Sequence, residues 1–259
     1  MKVLILCGGK GTRLREETSY RPKPMVEIGG RPILWHIMKM YAHYGHKDFV
    51  LCAGYKADVI KEYFLNYQAM QKDFTIDLGS QNRIQFHGNH PEEDWTVTLA
   101  DTGLHTQTAE RIYKARQYVG DGPFMVTYGD GVTDLELKAL VAFHCKKGRL
   151  ATLTGVRAIS RFGVVEANAD MRVVGFKEKP QVKERINAGF FIFEPDAMAY
   201  FEGQTGMLED GPLPALCEAG QLSIFPHDGF WQCMDTYRDF TQLNSQWDEE
   251  RAPWAVWAD

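Results

Sequence analysis

The chain has 259 residues, 44% hydrophobic and 24% charged, with a formal net charge of −5. A length of this order allows one large domain or two small ones and buries roughly 70–75% of the unfolded surface, so the core needs no covalent staples. The acidic balance argues against a nucleic-acid binder, which requires a basic face; small anionic ligands need only a local pocket.

The opening MKVLILCGG imitates a signal peptide, but its apolar run of five or six residues is shorter than the ~7–15 that a signal uses. No stretch approaches the ~18 apolar residues of a membrane span. Cysteines stand at 7, 52, 145, 217 and 233 without a Cys-x-x-Cys pair. Cys7 and Cys52 each end an apolar run, where a reduced thiol packs as a small hydrophobe. The expected setting is a reducing cytoplasm, with no membrane and no nucleic acid as partners.

In chain order, KVLILC (2–7) is a continuous apolar run, the mark of a strand covered on both faces. RPILWHIMKMYAHYG (31–45) spaces Ile33, Ile37, Met40, Tyr41 and Tyr44 by threes and fours. Pro32 is placed at the first helical position and Gly45 at the C-terminal cap. DFVLCAGY (48–55) reads as a second buried strand and ADVIKEYFLNY (57–67) as a second helix. Residues 81–95 break the rhythm and read as an excursion. PFMVTYGDG (123–131) is a third strand, DLELKALVAFHCKKG (134–148) a helix with Leu137, Leu140, Val141 and His144 on one face, and LATLTGV (150–156) a strand. This alternation predicts right-handed crossovers and a mostly parallel sheet with helices on both faces, a Rossmann-like α/β fold. Beyond 157 the strands shorten (FGVVEA, VVGFKEKP, AGFFIFEP, LSIFP), which predicts a small antiparallel portion, then closing helices near 195–201, 207–219 and 236–248. No repeat or linker interrupts the chain. One continuous domain is expected over 1–259, with residues 1–156 mainly nucleotide-binding and 157–259 mainly sugar-binding.

The loop after the first strand carries the chemistry. Glycines following a buried strand let backbone N–H groups turn toward a phosphate, and Arg13 and Lys23 add full charges. A dinucleotide fingerprint fits poorly, because Leu14 stands where the third glycine belongs. A P-loop needs Gly-Lys-Ser/Thr, whereas Lys10 precedes Gly11 and Thr12. A plain structural turn leaves the clustered cations unexplained.

GGKGTRL (8–14) followed by PKPMVEIGGRPILWHIM (22–38) resembles the signature of the sugar-1-phosphate nucleotidylyltransferases, the nucleotide-diphospho-sugar transferase fold. The similarity continues through TYGDG (127–131), RFG (161–163), FKEKP (176–180), INAGFF (186–191) and GFWQCMDT (229–236). Within the family, the wording is nearest to the cytidylyltransferases. The resemblance implies transfer of a nucleotidyl group from CTP to a sugar 1-phosphate, glucose 1-phosphate or a related sugar, giving a CDP-sugar and pyrophosphate. The alternatives are the same reaction with dTTP, UTP or GTP, and a non-catalytic nucleotide-sugar sensor. The family also implies assembly into a homo-oligomer.

Bringing two anions together costs roughly 4 kcal/mol per like-charge contact at ~4 Å and an effective dielectric of 20. By the resemblance, Leu6, Gly8, Gly9, Lys10, Gly11, Thr12, Arg13, Lys23, Arg111 and Gly129 bind the nucleotide. Arg13 holds the departing pyrophosphate, Lys23 reaches the α-phosphate, and Arg13, Lys23 and Asp130 form the catalytic set. Asp130 and Asp235 hold Mg²⁺, an ion that suits carboxylate and phosphate oxygens; taken alone, Gly-Asp-Gly reads as a turn and Asp235 as the N-cap of a helix starting near Thr236. Gly163, Glu178, Lys179, Asn187 and Gly189 form the sugar-phosphate end. Three positions depart from the cytidylyltransferase wording. Residues 108–111 read Thr-Ala-Glu-Arg in place of Thr-Gly-Gly-Arg, so Glu110 either accepts from an exocyclic amine or faces water. Ala188 replaces a glycine, and Cys233 stands where proline is common. These touch base and sugar recognition, so a sugar other than plain glucose is a hypothesis the sequence raises.

Overall fold

The computed structural model describes residues 1–79, 83–160 and 162–258. Its centre is a seven-stranded sheet. The strands are β1 (Val3–Leu6), β2 (Asp48–Ala53), β3 (Thr96–Asp101), β4 (Phe124–Tyr128), β5 (Ala151–Val156), β6 (Ile186–Phe193) and β7 (Leu222–His227), in the order β7-β5-β6-β4-β1-β2-β3. All neighbours pair in parallel except those of β6, which runs against both β4 and β5. β6 therefore threads the second half of the chain between strands of the first.

The continuous apolar runs have a simple cause. Successive side chains point to opposite faces. Val3, Ile5, Phe49 and Leu51 join one core cluster, while Leu4, Leu6, Val50 and Cys52 join the other. Helix α1 (Ile33–His43) covers the first face with nine buried residues. It starts after Pro32 and ends with Gly45 at φ 85°. There the N–H of His46 donates to Tyr41 O (3.0 Å) and that of Gly45 to Ala42 O (2.9 Å), a Schellman closure. Helices α2 (Ala57–Leu65), α3 (Thr108–Ala115), α4 (Leu137–Lys147), α5 (Pro212–Glu218) and α6 (Tyr237–Asp248) complete the layers. None is long and apolar enough to cross a membrane.

Several sequence expectations need correction. β3 and α3 are absent from the reading above: β3 carries only one buried residue, and α3 is only eight residues long, with two alanines and an arginine among its four buried positions, so neither presents a long apolar run. β7 does not join an antiparallel patch; it pairs in parallel with β5, because the helical segment after β6 reverses the chain once more. Residues 195–201 form a 3₁₀ helix. The antiparallel portion is a hairpin of Val164–Ala167 with Val173–Lys177, largely exposed. A second hairpin, Phe74–Ile76 with Ile84–Phe86, occupies part of the 81–95 excursion. Arg161 of the RFG stretch, and Gln81 and Asn82 of the excursion, lie outside the described residues.

Candidate active site

The glycine turn leaves the carboxyl end of β1, where ligands bind in open α/β sheets. Gly8 packs directly on Arg111: a Cβ there would stand 2.1 Å from the guanidinium carbon. The Gly8 carbonyl accepts from Arg111 (3.0 Å) and from the N–H of Tyr55 (3.2 Å). Gly11 adopts φ +61°, and a Cβ would meet Thr18 at 2.9 Å and Lys23 at 3.0 Å. Only glycine fits both the angle and the space. Thr18, buried, donates to Gly11 O (3.1 Å) and Leu14 O (2.8 Å), which fixes the rest of the turn.

Lys23 opens a single 3₁₀ turn between Pro22 and Pro24 and is only 8% exposed. Its Nζ lies 2.6 Å from Asp130 Oδ2 and 2.6 Å from Asp235 Oδ1. Arg13, mostly exposed, reaches the other oxygen of Asp235 at 2.6 Å. Burial pulls the Lys23 ammonium down, but the two carboxylates outweigh it and hold its pKa above the ordinary lysine value. A two-stranded ribbon makes this convergence. Gly131–Thr133 pairs antiparallel with Trp231–Cys233, Gly131 opposite Cys233, and the N–H of Met234 donates to Asp130 O (2.9 Å). Asp130 enters the ribbon as Asp235 leaves it. Helix α6 is capped by Thr236 with Asp239 in a reciprocal box, so capping is not the work of Asp235. Beneath the pair, burial first and then Asp130 and Asp235 push the Cys233 thiol far above its usual range.

A cleft of about 360 Å³ opens over this cluster. Leu6, Gly8, Gly9, Gly11, Thr12, Arg13, Lys23, Arg111, Gly129, Asp130 and Asp235 line it, and Lys10 does not. Thr106, Gln107, Thr108, Tyr128 and Met207 also line it. Tyr128 lies inside the TYGDG motif and was findable there; Met207 has no local signal. Arg111 is 3% exposed. It donates to Ala53 O, Thr102 Oγ1, Gly103 O and Gly8 O at 2.7–3.1 Å. Glu110 pairs with Lys114 at 2.8 Å along α3.

The residues assigned to the sugar-phosphate end do not line this cleft. Glu178 and Lys179 form an exposed ion pair at 3.5 Å, with Lys179 at φ 45°. Asn187 Oδ1 accepts from the N–H of Gly189 (2.9 Å). Gly189, at φ +80°, sits against the Tyr128 ring, 2.3 Å from where a Cβ would be, and Gly163 against Phe176 at 2.6 Å. At Gly189 the backbone angle and the space both exclude a side chain, whereas at Gly163 the neighbour is the exposed Phe176 ring.

The profile of the family described as Nucleotidyl transferase matches residues 2–250. The chain belongs to the nucleotidyl transferase family. This member is 47% identical to a glucose-1-phosphate cytidylyltransferase of Salmonella typhimurium, over 99% of this chain and 100% of that protein. It is 34% identical to a mannose-1-phosphate guanyltransferase of Aspergillus oryzae, over 93% of this chain but 62% of the relative. A solved UDP-glucose pyrophosphorylase complexed with UDP-glucose superposes with TM-score 0.68 at 16% identity, covering 96% and 99% of the two chains. That likeness is one of fold, and it gives this transferase the nucleotide-diphospho-sugar architecture expected from its motifs.

Proposed function

We propose that the protein transfers the cytidylyl group of CTP to a sugar 1-phosphate, glucose 1-phosphate being the first candidate, and releases pyrophosphate. The observation that carries this reading is the meeting of Arg13, Lys23, Asp130 and Asp235 at the mouth of the glycine turn. Cytidine is favoured by the end-to-end relationship to a cytidylyltransferase.

In this reading a phosphate oxygen of the sugar 1-phosphate attacks the α-phosphorus of CTP. The bond from that phosphorus to the bridging oxygen of the β-phosphate breaks, and pyrophosphate leaves with the electron pair. Such chemistry asks for positioning and charge neutralisation. The turn from Leu6 to Arg13 presents backbone N–H groups to the triphosphate. Arg13 neutralises the leaving pyrophosphate and Lys23 the α-phosphate; Arg111 holds the turn in shape from below. Glu178, Lys179 and Asn187, with the close-packed backbone at Gly163 and Gly189, receive the sugar phosphate. Asp130 and Asp235 each hold the Lys23 ammonium with one carboxylate oxygen, and they would be freed for a metal as Lys23 moves onto the α-phosphate. This hard, all-oxygen pair suits Mg²⁺, with substrate phosphates and waters completing the shell. Bound there, Mg²⁺ supplies positive charge to the phosphate oxygens. Among the described residues no cluster of three or more His, Cys, Asp or Glu competes as a metal site. The reading includes a cytoplasmic setting and self-association; exposed Leu65, Met70 and Leu78 offer apolar surface for it.

The test is pyrophosphate release from each nucleoside triphosphate with Mg²⁺ and a panel of sugar 1-phosphates. CTP with glucose 1-phosphate is expected to lead. Asp130→Asn and Asp235→Asn are each expected to lower turnover by roughly a hundredfold or more, the scale of losing a transition-state charge partner. A sensor without activity would release no pyrophosphate with any pair.

A further inference from the structure

Beyond the residues assigned above, the wall between the nucleotide cleft and the sugar end contains a carboxylate that no motif announced. Glu209 lies on the segment between the 195–201 turn and α5. Its Oε1 accepts from the Tyr128 hydroxyl and from Asn187 Nδ2 (3.2 Å). Among the described residues both of its hydrogen bonds fall on that one oxygen. Tyr128 lines the nucleotide cleft. Asn187 is held in turn by the N–H of Gly189.

The same segment is anchored on the nucleotide side. The N–H of Leu208 donates to Thr108 Oγ1 (2.7 Å), and the N–H of Ala109 donates to Gly206 O (3.2 Å). Glu209 is thus placed between the residues that line the nucleotide cleft and Asn187 of the sugar end, while it stays exposed. Held by two donors on one oxygen, this exposed carboxylate keeps its other oxygen available to accept from a ligand. Beside a sugar-phosphate site, the donor of matching chemistry is a ring hydroxyl.

We propose that Glu209 Oε2 accepts a hydroxyl of the sugar 1-phosphate and so sets which sugar is used. The proposal rests on the sugar-1-phosphate reading above. Tyr128 and Asn187 are then positioning residues for this carboxylate as well as parts of the wall.

Glu209→Gln isolates the claim. The amide oxygen keeps the acceptor for Tyr128 and Asn187, while the amide nitrogen turns the second oxygen from acceptor to donor. Wild type and variant are compared with CTP, Mg²⁺, glucose 1-phosphate and its 2-, 3-, 4- and 6-deoxy analogues. The expected result is a fall in kcat/KM for glucose 1-phosphate of about tenfold to a hundredfold, the range for a charge-assisted hydrogen bond in a selective site. The KM for CTP stays within twofold, which also shows that the variant is folded. One deoxy analogue, lacking the hydroxyl concerned, is used equally by both proteins. Two results overturn the proposal: unchanged kcat/KM for glucose 1-phosphate in the variant, or a loss of equal size for all four analogues. A wild type that releases no pyrophosphate with any sugar 1-phosphate defeats instead the function on which the proposal stands.

Discussion

Arg111 shows how a residue can sit in a ligand cleft and spend its side chain on the protein. Its guanidinium gathers carbonyls from β2, the turn after β3 and the glycine turn. The glycine turn therefore takes its shape from a cation beneath it as well as from its own flexible residues. Arg111→Met removes the donor from four buried or half-buried acceptors. The expected cost is about 3 kcal/mol of folding stability, since orphaned polar groups cost ~1–3 kcal/mol each and partly re-solvate. Urea unfolding measures it, and the KM for nucleotide is expected to rise with it. A stability within 0.5 kcal/mol of wild type, the scatter of ordinary surface changes, would refute the scaffold role. Lys23 and Asp130 were singled out in the sequence by the family wording around them, since PKP and GDG taken alone read as a loop cation and a turn. The partners of Arg111 were not. A cation in a helix says nothing of which distant carbonyls it reaches. For Glu110 the sequence left a base contact and a solvent-facing position both open, and the structure pairs it with Lys114 along the helix.

At the scale of elements, α6 and the chain after it form a clamp on the Glu27–Pro32 turn. Asn244 Oδ1 accepts from the N–H of Gly29 (3.0 Å), and Asn244 Nδ2 donates to Glu27 O (3.3 Å). A Cβ on Gly29, which has φ +58°, would stand 2.0 Å from the Trp247 ring. His36 of α1 is fully buried, ringed by Trp35, Trp247, Trp254 and Trp257. Its Nε2 lies 2.9 Å from Ile28 O, and Trp254 Nε1 donates to its Nδ1 (3.3 Å). Nδ1 is therefore the acceptor and Nε2 carries the proton. Burial lowers its pKa from 6.5 to about 4, with Arg31 adding repulsion and the Ile28 and Arg31 backbone opposing. The unfolded chain then binds the extra proton first as pH falls. Stability is full above pH 6.5 and declines through the interval down to about 4, a loss of about 3 kcal/mol from this group. Equilibrium unfolding of wild type and His36→Gln across that range is expected to show the shallower slope in the variant; parallel slopes would clear His36 of the effect. The clustering of Trp247, Trp254 and Trp257 was plain in the sequence. Their target was not, because a histidine on the buried side of a helix looks the same whether it faces leucine or indole.

For the molecule as a whole, the parallel sheet was legible from β1, β2 and β4, whose apolar runs report burial on two faces. The insertion of β6 was not, since strand order depends on partners far along the chain. The same holds for the carboxylate pair: GDG and MDT could each be read as a turn or a cap, and only the ribbon between them makes them one site. Lys23 stands 107 positions from Asp130 and 212 from Asp235. Contacts of such span close late, because loop entropy is lost before the contact repays it. On refolding from denaturant, helical signal is expected to return ahead of catalytic competence. Simultaneous recovery would show that the distant strands find each other at the outset.

The ribbon of 131–133 with 231–233 gives this ordering a practical meaning. A nascent chain that has not yet reached residue 231 has its glycine turn and one aspartate, yet owns no second carboxylate to set beside the first. In the proposed reading, the carboxylate pair is complete only once the ribbon between 131–133 and 231–233 has closed.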